Sequence, residues 1–338
     1  GDCLHFGCVP SKTLIKTAGV YHTLKTADRF GLPAMAVPPA DFREVARRIR
    51  EVIETIQAHD SEERFCSLGA RVAFGEPRFE DSHGVRLGKE TITAKKWVVA
   101  TGSSPVVPAI PGLRQTPHIT NREIFSLEKL PESMIVLGGG PIGTEMSQAF
   151  CRLGTRVCVV DMAPQILPRE DEDMAAVVRE NMAAEGVRFY LGHSVESVRE
   201  TGRQQEVTLK SPSGETLRLS ADTILAALGR KPNIGGLGLE AIGVSSGPGG
   251  IEVDRRLRTS VKHIYAAGDV TGGYQFTHAA GYEAGIVVSN AVFHLPRQAD
   301  YTWLPWCTYS DPELASIGMN EKAARAAGIK VAAVSYTH

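Results

Sequence analysis

An α/β fold is the prediction for this 338-residue chain, and three observations carry it. An apolar stretch at 134–137 runs into Gly138-Gly139-Gly140-Pro141-Ile142-Gly143, then into a helical pattern at 144–153 and a second apolar stretch at 156–160. Further on, a short apolar strand pattern ends in Gly268-Asp269, and a helical pattern begins near Thr277. Gly- and Pro-rich zones at 105–117 and 229–250 separate these units and read as domain boundaries.

The elements follow in order. The chain opens Gly1-Asp2-Cys3-Leu4-His5-Phe6-Gly7-Cys8-Val9-Pro10-Ser11-Lys12. A helical pattern covers 11–26, and Pro10 suits its start because the missing N–H is not needed there. Cys8 then lies close to a helix N-terminus, where the partial positive charge favours a thiolate. Asp41 and Glu44 carry a capping signature for a second helix, with Phe42, Val45, Ile49, Val52, Ile53 and Ile56 as its core stripe. Arg47, Arg48 and Arg50 form its solvated face. Between 71 and 101 short strands alternate with Gly, Pro and Asp, ending in Trp97-Val98-Val99-Ala100-Thr101-Gly102. Beyond Tyr301 the composition shifts again.

Composition narrows the classes of function. With 43% hydrophobic and 22% charged residues the chain is ordinary globular material, and a net charge of -1 provides no broad field for nucleic acid or an anionic membrane. No apolar run is long enough to span a bilayer and no leader pattern is present, so the expected location is the cytoplasm. The six cysteines, at 3, 8, 66, 151, 158 and 307, are too few and too scattered for a secreted disulfide framework. Cys3 and Cys8 leave three uses open: a staple, half of a metal site, or a redox pair. A staple closing so small a loop would contribute only about 2 kcal/mol in the loop-entropy account. No second pair has zinc-ligand spacing, so no metal is expected.

The G-x-G-x-x-G at Gly138, Gly140 and Gly143 is a weak pattern alone. Here it follows a strand, opens a helix through Pro141 and Ile142, and is followed by Asp161 at the end of the next strand. Glycines of this kind let backbone approach a pyrophosphate at a helix N-terminus, while the acid accepts hydrogen bonds from ribose hydroxyls. An acid repels a 2′-phosphate, and Met162-Ala163-Pro164-Gln165 offers no arginine, so NAD is expected rather than NADP. The plainer alternative is a structural turn beside a surface aspartate. Gly268-Asp269 is the tip of a second candidate nucleotide site; taken alone, it is equally an ordinary Gly-Asp turn.

Taken together, several stretches resemble the class I pyridine nucleotide-disulfide oxidoreductases, the flavoenzyme family of dihydrolipoamide dehydrogenase, glutathione reductase and mercuric reductase. They are the C-x4-C-V-P-S-K at 3–12, Ala100-Thr101-Gly102-Ser103, the turn at 138–145, Ala227-Leu228-Gly229-Arg230-Lys231-Pro232-Asn233, 259–269, and Tyr309-Ser310-Asp311-Pro312-Glu313. The resemblance implies two Rossmann-like nucleotide-binding domains, for FAD and NAD(P), plus the beginning of an α+β dimerisation domain. It places the first part of the FAD domain at 1–107, lacking its N-terminal βαβ unit, and the NAD domain at 108–232. The second FAD-binding or central part falls at 233–300, and the start of a truncated interface domain at 301–338.

The same resemblance implies the roles. Cys3 and Cys8 would be the redox-active disulfide, Cys3 exchanging with substrate and Cys8 lying against the flavin. Lys12 and Glu145 match the ion pair beside the flavin, although Glu145 also reads as a first-turn carboxylate favoured by the helix dipole. FAD would be held by Lys12, Ala100, Thr101, Gly102, Ser103 and Asp269, and by Gln275, Phe276, Thr277 and His278 at a helix start. His278 is a tempting base, but backbone contact or a structural role fits it equally. NAD would meet Gly138, Gly140, Pro141, Ile142, Gly143, Glu145, Asp161 and Gly229. The implied enzyme moves electrons between NAD(H), FAD, the cysteine pair and a small or protein-bound dithiol or disulfide, as a homodimer. A dihydrolipoamide dehydrogenase-like activity is the first expectation. A mercuric reductase-like enzyme and a non-catalytic nucleotide-binding fragment are the alternatives. By the resemblance the partner-supplied histidine relay belongs to the part of the interface domain expected to be cut short, and His338 is not expected to stand in its context.

Overall fold

The structure, a computed structural model, describes residues 2–336; the expectation for His338 lies outside the described residues. The described chain contains eight α-helices: α1 (Asp2–Phe6), α2 (Cys8–Lys25), α3 (Phe42–Gln57), α4 (Glu62–Ser67), α5 (Pro141–Leu153), α6 (Glu172–Ala184), α7 (Thr277–Ala291) and α8 (Glu321–Ala326). With the strands they make a mixed α/β protein of two compact units. One comprises Gly1–Ala58, Val106–Gly229 and Pro305–His338, the other His59–Pro105 and Arg230–Leu304. None of the described helices is long and apolar enough to cross a membrane.

The first unit is built on a four-stranded parallel sheet in the order Thr223–Ala226, Ser133–Leu137, Arg156–Asp161, Arg188–Leu191. Strand Ser133–Leu137 is buried at every residue, which is why it reads as a continuous apolar run. Its alternation still sorts side chains by face. Met134 and Val136 join Leu14, Phe42, Ile49, Met146 and Phe150 beneath α2, α3 and α5. Ile135 and Leu137 instead pack with Val198, Val207 and Leu209. Those three belong to an antiparallel sheet of Ser194–Thr201, Gln204–Lys210 and Thr216–Ala221. A hairpin of Pro305–Thr308 and Leu314–Ile317 brings Leu314 into the first cluster.

Helix α3 has the expected cap, the Asp41 carboxylate accepting the Arg43 N–H at 3.0 Å. Helix α2 starts three residues before its expected beginning, at Cys8 rather than Ser11. Pro10 is tolerated inside it because first-turn N–H groups have no intrahelical acceptor to lose. Helices α1 and α4 are too short to show a periodic apolar stripe, and the sequence pattern did not reveal them. Likewise α5 begins at Pro141 rather than Thr144, with Gly140 as its N-cap.

In the second unit, strands Trp97–Val99 and Ile264–Ala266 pair in parallel. Their ends therefore emerge side by side: the Ala267 N–H donates to the Val99 carbonyl at 3.1 Å. Ala100 to Ser103 thus leave one strand next to Gly268 and Asp269 leaving the other. The small antiparallel sheet Pro77–Phe79, Gly84–Leu87, Glu90–Thr93 completes the layer, and Phe79, Val85, Val99, Ile264 and Ala266 share one core.

Candidate functional site

The glycine turn shows why each glycine stands where it does. A Cβ on Gly143 would meet the Gly138 carbonyl oxygen at 1.9 Å, and one on Gly138, at φ +105°, would meet the Ala227 oxygen at 2.3 Å. Gly140 is different: nothing lies within 4 Å of its absent Cβ. Two glycines close the turn, and the third leaves room in front of the first N–H groups of α5, which is where an anion is welcome. Ile142 is exposed on that turn. Gly229, at φ +100°, also faces open space.

Asp161 closes the other side. Its Oδ2 accepts the Gly139 N–H at 2.6 Å and its Oδ1 accepts the Ala163 N–H at 2.7 Å. The acid expected for a ribose therefore also braces the turn. Each oxygen keeps a further lone pair for a hydroxyl donor.

The cysteine segment lies in the same unit. Cys3 is half-buried in α1, and Cys8 is exposed as the first residue of α2. Gly7 lies between them because a Cβ there would come within 2.9 Å of the Cys3 Cα. Asn121 Nδ2 donates to the Phe6 carbonyl at 2.8 Å and pins the break between the helices.

One turn along α2, Lys12 Nζ lies 2.6 Å from Glu145 Oε2 on α5. Glu145 is only 5% exposed. Its other oxygen accepts the Tyr309 N–H at 2.9 Å, and the Lys12 ammonium sits 4.5 Å from the centre of the Tyr309 ring. Tyr309 is braced in turn. The Asp311 N–H donates to Gln148 Oε1 at 2.8 Å, and Arg152 Nη2 lies 2.8 Å from Asp311 Oδ2. Burial, with thiol and acidic neighbours added, pushes the Tyr309 phenol above its ordinary value.

Sequence reasoning named Lys12 and Glu145 but missed Gly7, Asn121 and the site role of Tyr309. A lone glycine directly before Cys8 was the available signal for the first. In the sequence Tyr309 stands out only as part of the Tyr309-Ser310-Asp311-Pro312-Glu313 resemblance. Burial pushes the Cys151 and Cys158 thiols up to about 11, which leaves them protonated and unreactive near neutrality.

In the second unit, Ser103 Oγ donates to Asp269 Oδ2 at 2.6 Å, and Arg230 Nε donates to Ser103 Oγ at 2.7 Å. Thr101 Oγ1 donates to the Asn233 carbonyl at 2.7 Å. Gly102, at φ +68°, faces open space. Phe276 is the N-cap of α7; Gln275 precedes it, Thr277 begins the helix, and the His278 ring stacks on Phe276 at 5.3 Å. Among the described residues no cluster of His, Cys, Asp or Glu could hold a metal ion.

A parallel sheet, a glycine turn opening a helix and an acid on the next strand define a nucleotide-binding α/β protein. The pattern described as pyridine nucleotide-disulphide oxidoreductase matches residues 1–284, and the chain belongs to that family. It is 31% identical over 332 residues to a mercuric reductase of Staphylococcus aureus, covering 98% of this chain and 60% of the relative. It is 34% identical over 346 residues to a dihydrolipoyl dehydrogenase of Bacillus subtilis (strain 168), covering 98% and 72%. A solved structure of the HOCl-induced flavoprotein disulfide reductase RclA from Escherichia coli is similar at TM-score 0.83 and 30% identity, covering 97% of this chain and 71% of that one. The chain spans between 52% and 60% of the length of the Bacillus cereus and Staphylococcus aureus mercuric reductases it matches.

Proposed function

We propose that the full-length protein is a flavin-dependent disulfide oxidoreductase that passes electrons from NADH to a disulfide through Cys3 and Cys8. One observation carries this reading: the ion pair of Lys12 and Glu145 joins the cysteine helix to the helix of the glycine turn. The residues fit both cofactors. The open space before α5 suits a pyrophosphate, and the paired strand ends with Gly102 and the Asp269 carboxylate suit a polyol. On this reading 1–107 and 233–300 belong to FAD, 108–232 to NAD, and 301–338 to the interface of a cytoplasmic homodimer.

Bound FAD would supply the two-electron relay between nicotinamide and disulfide. The protein's own residues do the rest. The electron pair cleaves the Cys3–Cys8 bond, and two protons complete the dithiol. Cys3, as a thiolate, attacks the substrate disulfide, releasing one substrate thiol and forming a mixed disulfide. Cys8 attacks the Cys3 sulfur, releases the second thiol and restores the pair. In sum NADH, a proton and a disulfide give NAD⁺ and two thiols. Lys12 and Glu145 fix a cation one turn from Cys8, and Asp161 disfavours a 2′-phosphate.

The full-length protein is expected to purify yellow and to reduce lipoamide with NADH in preference to NADPH, the preference weakening in Asp161→Ala. Cys3→Ser and Cys8→Ser should keep the flavin and lose turnover. A colourless protein, or full turnover in either serine variant, would overturn the reading. Substrate is the finer point, because identity to mercuric reductases and to dihydrolipoyl dehydrogenases is nearly the same. Mercuric ion in place of lipoamide in the same assay separates the two.

A further inference from the structure

The second unit buries a carboxylate that the mechanism above does not use. Glu283, on the second turn of α7, is 1% exposed. Its Oε2 accepts the Gly268 N–H at 2.6 Å, and its Oε1 accepts the Tyr301 hydroxyl at 2.7 Å. Neither donor is a cation. Burying a carboxylate on neutral donors alone is costly, so both of its hydrogen bonds must be kept, and with them the positions of the two donors.

What it holds is the backbone immediately before Asp269. Gly268 sits at φ +76°, and a Cβ there would meet the Ala280 side chain at 3.2 Å, so the chain turns tightly over α7 at this point. Asp269 follows, its Oδ2 fixed by Ser103 Oγ, which Arg230 fixes in turn. The Asp269 carboxylate is thus set from two sides, by a side-chain relay and by the peptide that Glu283 grips. Burial and the neighbouring carboxylate push the Tyr301 phenol well above its ordinary value, so it remains a donor to Glu283 across the physiological range.

We infer that Glu283 is a positioning residue for flavin binding: it anchors the Gly268 peptide so that Asp269 presents its carboxylate to the ribityl hydroxyls of FAD. This rests on the proposal that Asp269 binds FAD. Geometry matters here more than charge. A glutamine keeps an acceptor of the same reach for the Gly268 N–H and can donate to the phenol oxygen. An aspartate keeps the charge but is one methylene too short to reach both donors, and a leucine offers no acceptor.

The test is FAD affinity of the full-length protein, prepared without flavin and titrated with FAD by fluorescence, with circular dichroism as the check on folding. Glu283→Gln should bind within about threefold of the parent, whereas Glu283→Asp and Glu283→Leu should bind about tenfold more weakly, the cost of one lost hydrogen bond to a charged acceptor. Parent affinity in Glu283→Asp and Glu283→Leu, or a glutamine variant as weak as the leucine one, overturns the inference. If Glu283→Leu does not fold, the contrast between the aspartate and glutamine variants decides alone. Asp269→Ala separates the two levels of the argument. If it leaves FAD affinity unchanged, the flavin reading of this turn fails and the role of Glu283 falls with it; if it weakens binding while Glu283→Asp does not, only the role of Glu283 fails.

Discussion

Glu145 and Glu283 are both buried glutamates on the inner face of a helix that follows a glycine turn, yet the two units neutralise them by different means. Glu145 has a cation 2.6 Å away and a backbone N–H from Tyr309. Glu283 has a backbone N–H from Gly268 and a hydroxyl from Tyr301, and no charged partner among the described residues. The difference teaches what each carboxylate is for. A buried ion pair places a charge, and the Lys12 side chain, 37% exposed, keeps that charge open to whatever docks beside it. A carboxylate held by neutral donors places a peptide.

The largest expected effect comes from removing the cation. Lys12→Met leaves Glu145 buried beside an apolar side chain, and the full-length protein should lose about 2 kcal/mol of stability, below the usual cost of breaking a buried pair because Lys12 is partly solvated. Glu283→Gln should cost less than about 1 kcal/mol, since the Gly268 N–H keeps its acceptor and the Tyr301 contact is remade with the amide as donor. Urea denaturation of the two variants measures the contrast. Equal losses would mean that the lysine adds nothing that neutral donors do not.

A smaller effect sharpens the Glu145 side. Tyr309 contributes its N–H, which no substitution short of proline removes, and its ring face, which phenylalanine retains. Tyr309→Phe is therefore expected to be nearly neutral, while Tyr309→Leu should cost about 1 kcal/mol through the lost cation–π contact. A double-mutant cycle with Lys12→Met gives the coupling directly. A coupling of zero would show that the ring packs beside the ammonium without holding it.

The same two glutamates mark how far the sequence could be read. Glu145 and Lys12 were legible only through the family resemblance, which matches both to motifs of fixed local spacing, the glycine turn at 138–143 and the cysteine segment at 3–12. Glu283 was not, because its role depends on Gly268, a residue fifteen positions earlier that reaches it only through the fold. Tyr309 was missed on the same ground: its N–H meets Glu145 across 164 positions. The cysteine segment shows the local version of this limit. Over the five residues of α1 there is too little length for periodicity to separate helix from loop, so the contact that requires Gly7 was invisible. Two of the four strands of the parallel sheet, at 134–137 and 156–160, were readable as apolar runs. Its partner on the opposite face, where Val198, Val207 and Leu209 pack, was not singled out, because those strands are half-solvated and polar.

The last and smallest effect is in titration, and it sets the tyrosines beside the two glutamates against each other. Tyr301 donates its hydroxyl to Glu283; Tyr309 offers Glu145 only its N–H. Burial comes first among the causes that raise both phenols, but for Tyr301 the next two are the Glu283 hydrogen bond and charge, whereas for Tyr309 Glu145 ranks behind Cys307 and Glu313. Tyr301 is therefore expected to ionise last of the pair, and an ultraviolet titration of Tyr301→Phe against Tyr309→Phe should lose its most alkaline step only in the former. The stability consequence has a definite sign. A folded-state value above the unfolded value of about 10 means that the folded chain holds the phenol proton more tightly, so the contribution is complete below about pH 10 and is lost as pH rises towards the folded value. Glu283→Gln removes the charge but not the burial, so it should bring the Tyr301 step down part of the way and soften the alkaline loss of stability without abolishing it. If the step does not move in Glu283→Gln, burial alone raises the Tyr301 phenol, and the Glu283 carboxylate contributes nothing to its titration.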